Sequence, residues 1–204
     1  MRPLIVLLAL VAALGAGCRG DGDDSSASGR AEAQARDSAL KSSVLQPEDL
    51  PRVFIRFDEG MQVRADLPRS RVRGSPTRFG RVQGWKARYR RPGSTQTTGP
   101  LVIESRVDLF KSPDGARKEL EAHGRDLPEG LRLLGRAPSG LGEDGFTATG
   151  RQGAGQFAVR FYLVAWRDEA MSASLLLNGF EGKFKLQQAV ALARKQYGRM
   201  EVPS

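Results

Sequence analysis

His123 is the single histidine of this 204-residue chain, and histidine is the side chain whose ordinary pKa lies near neutrality. General-base work at His123 needs a nucleophile or water beside the ring and a group to orient it. No G-x-S-x-G nucleophile elbow occurs, and the E-A-H-G-R setting reads as mid-helix, with His123 a half-buried or surface histidine. Two adjacent carboxylate pairs, Glu143-Asp144 and Asp168-Glu169, have the groups for acid–base or cation chemistry. Neighbours on a strand point to opposite faces, so both pairs read as solvated turn residues. The stretch from Gly150 to Gly155 (G-R-Q-G-A-G) is glycine-rich, yet no Lys-Ser/Thr follows and a strand pattern comes next. A phosphate cradle needs helix-terminal N–H groups at that point, so this is a hairpin loop. One His and one Cys exclude two-His and multi-Cys metal sites. No catalytic residue, metal or cofactor is expected, and the enzymatic alternative is one in which His123 and carboxylates converge in a cleft.

The other chemistry-bearing feature is charge. The chain has 32 Lys+Arg against 23 Asp+Glu, a formal +9. Ten of the basic residues lie between Arg64 and Arg91, opposed there by Asp66 alone, so the remainder of the chain is neutral. Within that stretch Arg69, Arg71, Arg73, Arg78, Arg81, Lys86, Arg88 and Arg90 form a candidate surface for an anion. Lipid headgroups, an acidic envelope polymer or an acidic partner protein fit such a surface. Aromatic residues are few in the stretch, which argues against nucleic acid. The competing reading is compositional: Arg exceeds Lys 25 to 7, and Glu104, Arg106 and Asp108 fall on the face predicted for Lys86, Arg88 and Arg90. Cross-strand pairs there would neutralise the patch.

Cys18 is the only cysteine and ends the segment M-R-P-L-I-V-L-L-A-L-V-A-A-L-G-A-G-C. Arg2 precedes an apolar run from Leu4 to Leu14, and small residues follow, the pattern of an export signal. The run is too short for a spanning helix, which takes roughly 20 apolar residues. A cysteine directly after the small residues resembles the lipobox of bacterial lipoproteins. That resemblance implies diacylglyceryl transfer to the Cys18 thiol, cleavage after Gly17, acylation of the new amino terminus, and export. The anchor would then hold the protein on the outer face of the cytoplasmic membrane, or on the periplasmic side where an outer membrane exists.

The chain therefore divides into a signal peptide (1–17), a lipidated cysteine with a polar, low-complexity tether expected as coil (18–46), and one domain (47–204). Pro47–Pro51 reads as a helical turn. Val53–Phe57 and Met61–Leu67 read as strands around an Asp58-Glu59-Gly60 turn. Trp85–Arg91 and Leu101–Phe110 alternate and pair as a hairpin. Ser112, Pro113 and Asp114 open a helix that runs to about Asp126. Leu131–Leu134 and Phe146–Thr149 are short strands. Gln156–Trp166 and Met171–Leu177 form a hairpin turning at Arg167-Asp168-Glu169. Leu186–Tyr197 is an amphipathic helix stopped at Gly198. The order predicts an α+β domain, a single antiparallel sheet of hairpins with helices packed on one face.

Three short motifs carry a resemblance: Leu45-Gln46-Pro47-Glu48-Asp49-Leu50-Pro51, Phe79-Gly80-Arg81-Val82 with Gly84-Trp85, and the run Gly140-Leu141-Gly142-Glu143-Asp144-Gly145-Phe146. They are similar to the extracellular sensor-like domains of actinobacterial envelope lipoproteins and receptor kinases. The resemblance spans roughly Leu45 to Tyr197 and implies an α+β envelope domain with a ligand groove and no catalytic residues. The expected function is thus a lipid-anchored envelope domain that binds a ligand or partner. The alternative is a carrier enclosing a lipid or other apolar molecule between sheet and helices.

Overall fold

Period-two alternation demands a sheet with two different faces, and the chain builds one. The computed structural model describes residues 24–62 and 77–200. Its elements are α1 (Asp24–Ser42), β1 (Ile55–Met61), β2 (Arg81–Arg90), β3 (Val102–Phe110), α2 (Pro113–Arg125), β4 (Leu131–Arg136), β5 (Asp144–Gln152), β6 (Val159–Asp168), β7 (Met171–Phe180) and α3 (Leu186–Tyr197). The seven strands form one sheet in the order β1-β2-β3-β7-β6-β5-β4, antiparallel throughout. This is the α+β architecture that the alternation predicts. The chain steps from β1 to β3, crosses with α2 to the far edge, and returns from β4 to pair β7 with β3. No helix among the described residues is long and apolar enough to cross a membrane.

The helices do not share one face. Ile103, Val107, Val164, Trp166, Leu175 and Leu177 project to the side where α1 and α3 pack. Phe146, Ala148, Leu163 and Ala165 project to the other, where they meet Leu120 of α2. The expectation of helices on one face is corrected by the strands themselves. In β5 and β6 both alternate sets are apolar or small, so each side of the sheet needs a cover. Ser112 opens α2 as expected: its hydroxyl accepts from the Gly115 N–H at 3.2 Å, with Pro113 in the first turn.

Two further departures concern the start of the domain. Asp58-Glu59-Gly60 is no turn but the middle of β1, paired with Arg88, Ala87 and Lys86 after a bulge between Arg56 and Asp58. The second strand expected there, Met61–Leu67, lies outside the described residues beyond Gln62. Residues 24–46, expected as coil, instead hold α1 and the segment that leaves it. Leu40, Val44 and Leu45 are completely buried in the core beside β2 and β3. The core thus includes residues that precede Pro47.

Buried polar groups fix this entry. The Leu45 N–H donates to the Ser105 hydroxyl (2.9 Å), which donates to Gln196 Oε1 on α3 (2.8 Å). Gln196 Nε2 donates to the Arg106 carbonyl (2.8 Å), and the Tyr89 hydroxyl donates to the Leu45 carbonyl (2.6 Å). Asp49 closes the following turn: its carboxylate accepts from the Gln46 N–H at 2.8 Å and from Arg199 Nε at 2.7 Å. Leu45, Asp49 and Leu50, the motif residues, are therefore packing and capping positions. After α3, the indole N–H of Trp166 donates to the Met200 thioether at 3.2 Å.

Leu40→Ala should cost about 2–5 kcal/mol in urea unfolding, as a buried leucine does, whereas Glu32→Ala on the exposed side of α1 should change stability by about 0.5 kcal/mol or less. Equal small effects would show that α1 is not part of the folding unit. Burial pushes the Tyr89 phenol up to about 12. A phenol raised above its unfolded value stabilises the fold in full below that value, near 10, and loses the contribution as pH rises through the folded one. Urea midpoints should thus decline between pH 10 and 12 more steeply in the wild type than in Tyr89→Phe.

Candidate functional site

The basic stretch is the first place to look, and the sheet consumes much of it. Arg81 and Asp108 form a largely buried pair, Nε to Oδ1 at 2.6 Å, and Arg81 also donates to Gln62. Gly84 makes room for that pair, since a Cβ there would lie 2.1 Å from Asp108 Oδ1. Lys86 approaches Asp58 at 3.4 Å. Arg88 lies between Asp58 (3.5 Å) and Glu104 (2.6 Å). The Arg88–Glu104 pairing follows the register that sets Arg88 opposite Glu104. Arg90 lies over the Phe57 ring and Arg78 over Phe79, 5.3 and 5.1 Å from the centroids. Arg69, Arg71 and Arg73 lie outside the described residues, as does Cys18. Of the eight cations named from the sequence, the five described are spread along β2 and its approach. Arg81, Lys86 and Arg88 meet carboxylates of the same sheet.

The catalytic alternatives do not assemble into a constellation. His123 is half-buried on α2, edge-on to Phe146 with centroids 5.4 Å apart. Glu143 and Asp144 are both engaged by Arg167, the latter at 2.8 Å. Asp168 ends β6 and Glu169 turns into β7 with φ 46°. Gly153 and Gly155 close the β5–β6 hairpin, the loop role expected of that run. Gly142 is fixed by close approach, because a Cβ there would lie 2.0 Å from the Arg167 carbonyl oxygen. The Gly140–Phe146 motif is a packed strand entry.

Concavity lies on the α2 side of the sheet. One groove of about 400 Å³ runs between α2 and the β4–β5 pair. Its helix wall is Arg117, Leu120, Glu121, Gly124 and Arg125, spaced three and four apart so that all share one flank. Its sheet wall is Leu133, Arg136, Asp144, Gly145 and Phe146. A second groove of about 530 Å³ lies beneath the α2–β4 loop, lined by Pro128, Gly130, Leu131, Phe161 and Leu176, with Glu129, Arg151 and Gln152 at its edge. Both volumes fall within the roughly 300–1,000 Å³ of small-molecule sites. Both grooves open to solvent rather than being enclosed. The opposite side, between sheet and α1/α3, is filled by side chains such as Trp166, Tyr89, Leu175 and Leu177, all fully buried. Sequence reasoning missed the groove residues, although Arg117, Glu121 and Arg125 at intervals of four mark a charged flank of α2.

The fold and this geometry define a class: a sheet-centred α+β domain with open grooves on the α2 side of its sheet. No protein-family model matches the chain, and no curated protein matches it by sequence. Among solved structures it is similar to the extracellular domain of PknH from Mycobacterium tuberculosis, with a TM-score of 0.54 and 11% identity. The likeness covers 80% of this chain and 96% of that one. At such identity the shared property is the fold.

If Arg81 serves the fold, Arg81→Ala should cost about 3 kcal/mol in urea unfolding by stranding Asp108. Arg90→Ala should cost about 0.5–1 kcal/mol, the loss of an exposed cation–π contact. Similar costs for both would remove the distinction between structural and surface arginines.

Proposed function

We propose that this chain is an exported, non-catalytic, sensor-like domain, held at the membrane by acylated Cys18, that binds a ligand or partner along the α2 face of its sheet. The observation that carries the reading is the fold shared with an extracellular domain over 96% of that domain. The grooves on the α2 side supply the concave surface such a role requires. In this reading residues 1–17 are a signal peptide, and the domain stands on the outer face of the cytoplasmic membrane, or on the periplasmic side of an outer membrane. Residues 19–23 then lie between the anchor and Asp24, a stretch spanning roughly 20 Å at most. The α1 helix adds about 28 Å at 1.5 Å per residue. Anionic envelope partners, lipid or polymer, enter through Arg69, Arg71 and Arg73, since Arg81, Lys86 and Arg88 already meet carboxylates.

Cys18→Ser should move the protein from the detergent phase to the aqueous phase on Triton X-114 partition of whole cells. Mass spectrometry of the wild-type mature chain should find an acylated Cys18. An unmodified amino terminus, or partition unaltered by Cys18→Ser, would remove the anchor. For the basic stretch, Arg69→Glu, Arg71→Glu and Arg73→Glu together should weaken binding to phosphatidylglycerol vesicles by about 100-fold or more, at about 1 kcal/mol per arginine lost. Arg81 is kept in that variant because its loss would perturb the fold. Undiminished binding would make the arginine excess compositional.

A further inference from the structure

The groove between α2 and the β4–β5 pair has an asymmetric charge. Two of its charged residues neutralise each other: Arg117 reaches Glu121 at 2.5 Å, and Asp114 outside the groove at 2.6 Å. Asp144 accepts from Arg167 at 2.8 Å. Two cations are left over. Among the described residues Arg125, which is exposed, has no ion-pair partner, and Arg136, its side chain 90% exposed, reaches only Asp144 at 3.8 Å. Between these arginines the wall is apolar: Leu120, Phe146 and Leu133, the last 52% exposed on an edge strand. Leu133 does not stand alone: it continues the wall of Leu120 and Phe146, and an apolar wall rimmed by charge is the surface chemistry of a ligand groove.

Gly124 points the same way. Glycine inside a helix costs about 1 kcal/mol relative to alanine. A Cβ at position 124 would meet Phe146 at 3.4 Å, an ordinary contact, so packing does not demand the glycine. Its effect is to keep the helix wall of the groove bare above an aromatic floor.

We propose that this groove binds a small anionic amphiphile, an apolar body lying on Leu120, Phe146 and Leu133 with one carboxylate, sulfonate or phosphate between Arg125 and Arg136. This rests on the reading of the α2 face as the binding face and names the chemistry of its ligand. The apolar body supplies affinity by covering Leu133. The head group supplies selection, because a neutral or cationic molecule leaves the two guanidinium groups unanswered.

The test uses the full chain and two dyes. 8-Anilinonaphthalene-1-sulfonate has an apolar body and one anionic head; N-phenyl-1-naphthylamine has the same body without the head. The sulfonate should bind at a single saturable site, about tenfold or more tighter than the neutral dye. Arg125→Glu with Arg136→Glu should weaken the sulfonate about tenfold or more and leave the neutral dye within about twofold. Arg132→Glu, a single charge reversal at an exposed β4 position outside the groove, should alter neither. Gly124→Leu and, separately, Leu133→Ser should weaken both dyes, with urea midpoints confirming that each variant is folded. Decanoate below its micelle concentration should displace the sulfonate. Equal affinity for the two dyes, sulfonate binding that survives the double reversal, or displacement only by phosphatidylglycerol vesicles would overturn the anionic class. Dye binding that still responds to Gly124→Leu and Leu133→Ser would then leave the α2 face standing as a binding face. Binding insensitive to both variants, or no saturable binding, would overturn the location as well.

Discussion

The Ser105 hydroxyl is the point on which the rest of the structure depends. It lies fully buried at the centre of the sheet, accepting from the Leu45 N–H and donating to Gln196. Each of those groups has surrendered its water and needs this partner, since a buried polar group left unpaired costs about 1–3 kcal/mol. The hydroxyl thereby ties three distant parts of the chain to one register: the exit from α1, the strand β3, and the last turn of α3. Gln196 extends the tie to the Arg106 carbonyl, and Tyr89 holds the Leu45 carbonyl. An apolar face alone would let α1 and α3 slide. Hydrogen bonds with fixed partners do not.

The opposite side of the sheet is covered less completely. Behind Ser105, β3 presents Glu104, Arg106 and Asp108 to the α2 side, and β2 presents Lys86 and Arg88 beside them. The sheet is thus divided on that side into a charged half at β1–β3 and an apolar half at β4–β6. In the first half Asp108, Asp58 and Glu104 answer Arg81, Lys86 and Arg88. The second is covered by α2 chiefly through Leu120, with Phe146, Ala148, Leu163 and Ala165 beneath. One short helix cannot cover a twisted surface of that breadth, and the grooves are the uncovered margins.

Period and punctuation made most of this readable from sequence. Strands β2 and β3 alternate, β6 and β7 read as a hairpin about Arg167-Asp168-Glu169, and α2 announces itself by Ser112-Pro113-Asp114. What was illegible has physical causes. Residues 24–42 look like linker because they have no large apolar group before Leu40, yet Ala31, Ala33, Ala35 and Ala39 are strong helix formers. The apolar residues that dock α1, Leu40, Val44 and Leu45, lie only at its exit. Asp58-Glu59-Gly60 has turn composition, but its carboxylates answer charges on β2 and elsewhere on β1, so tertiary electrostatics overrode local preference. The two-sided placement of helices was hidden because alternation gives the period of burial and not the depth of the second face. The groove was invisible because its walls come from α2, β4 and β5, brought together only by folding.

Location changes the meaning of the net charge. A formal +9 concentrated between Arg64 and Arg91 suggests a single anion-binding patch. In the fold, Arg81 is structural and Lys86 and Arg88 are answered within the sheet, while Arg125 and Arg136, outside that stretch and unremarkable by count, stand over apolar ground. A cation beside water interacts weakly because the solvent screens it. The same cation at the rim of an apolar groove meets a partly desolvated head group, where the effective dielectric is lower and each contact counts for more. For the anion-binding proposal, the number of arginines therefore matters less than their setting: Arg125, without an ion-pair partner among the described residues, and Arg136, with only a 3.8 Å approach to Asp144, border an apolar surface.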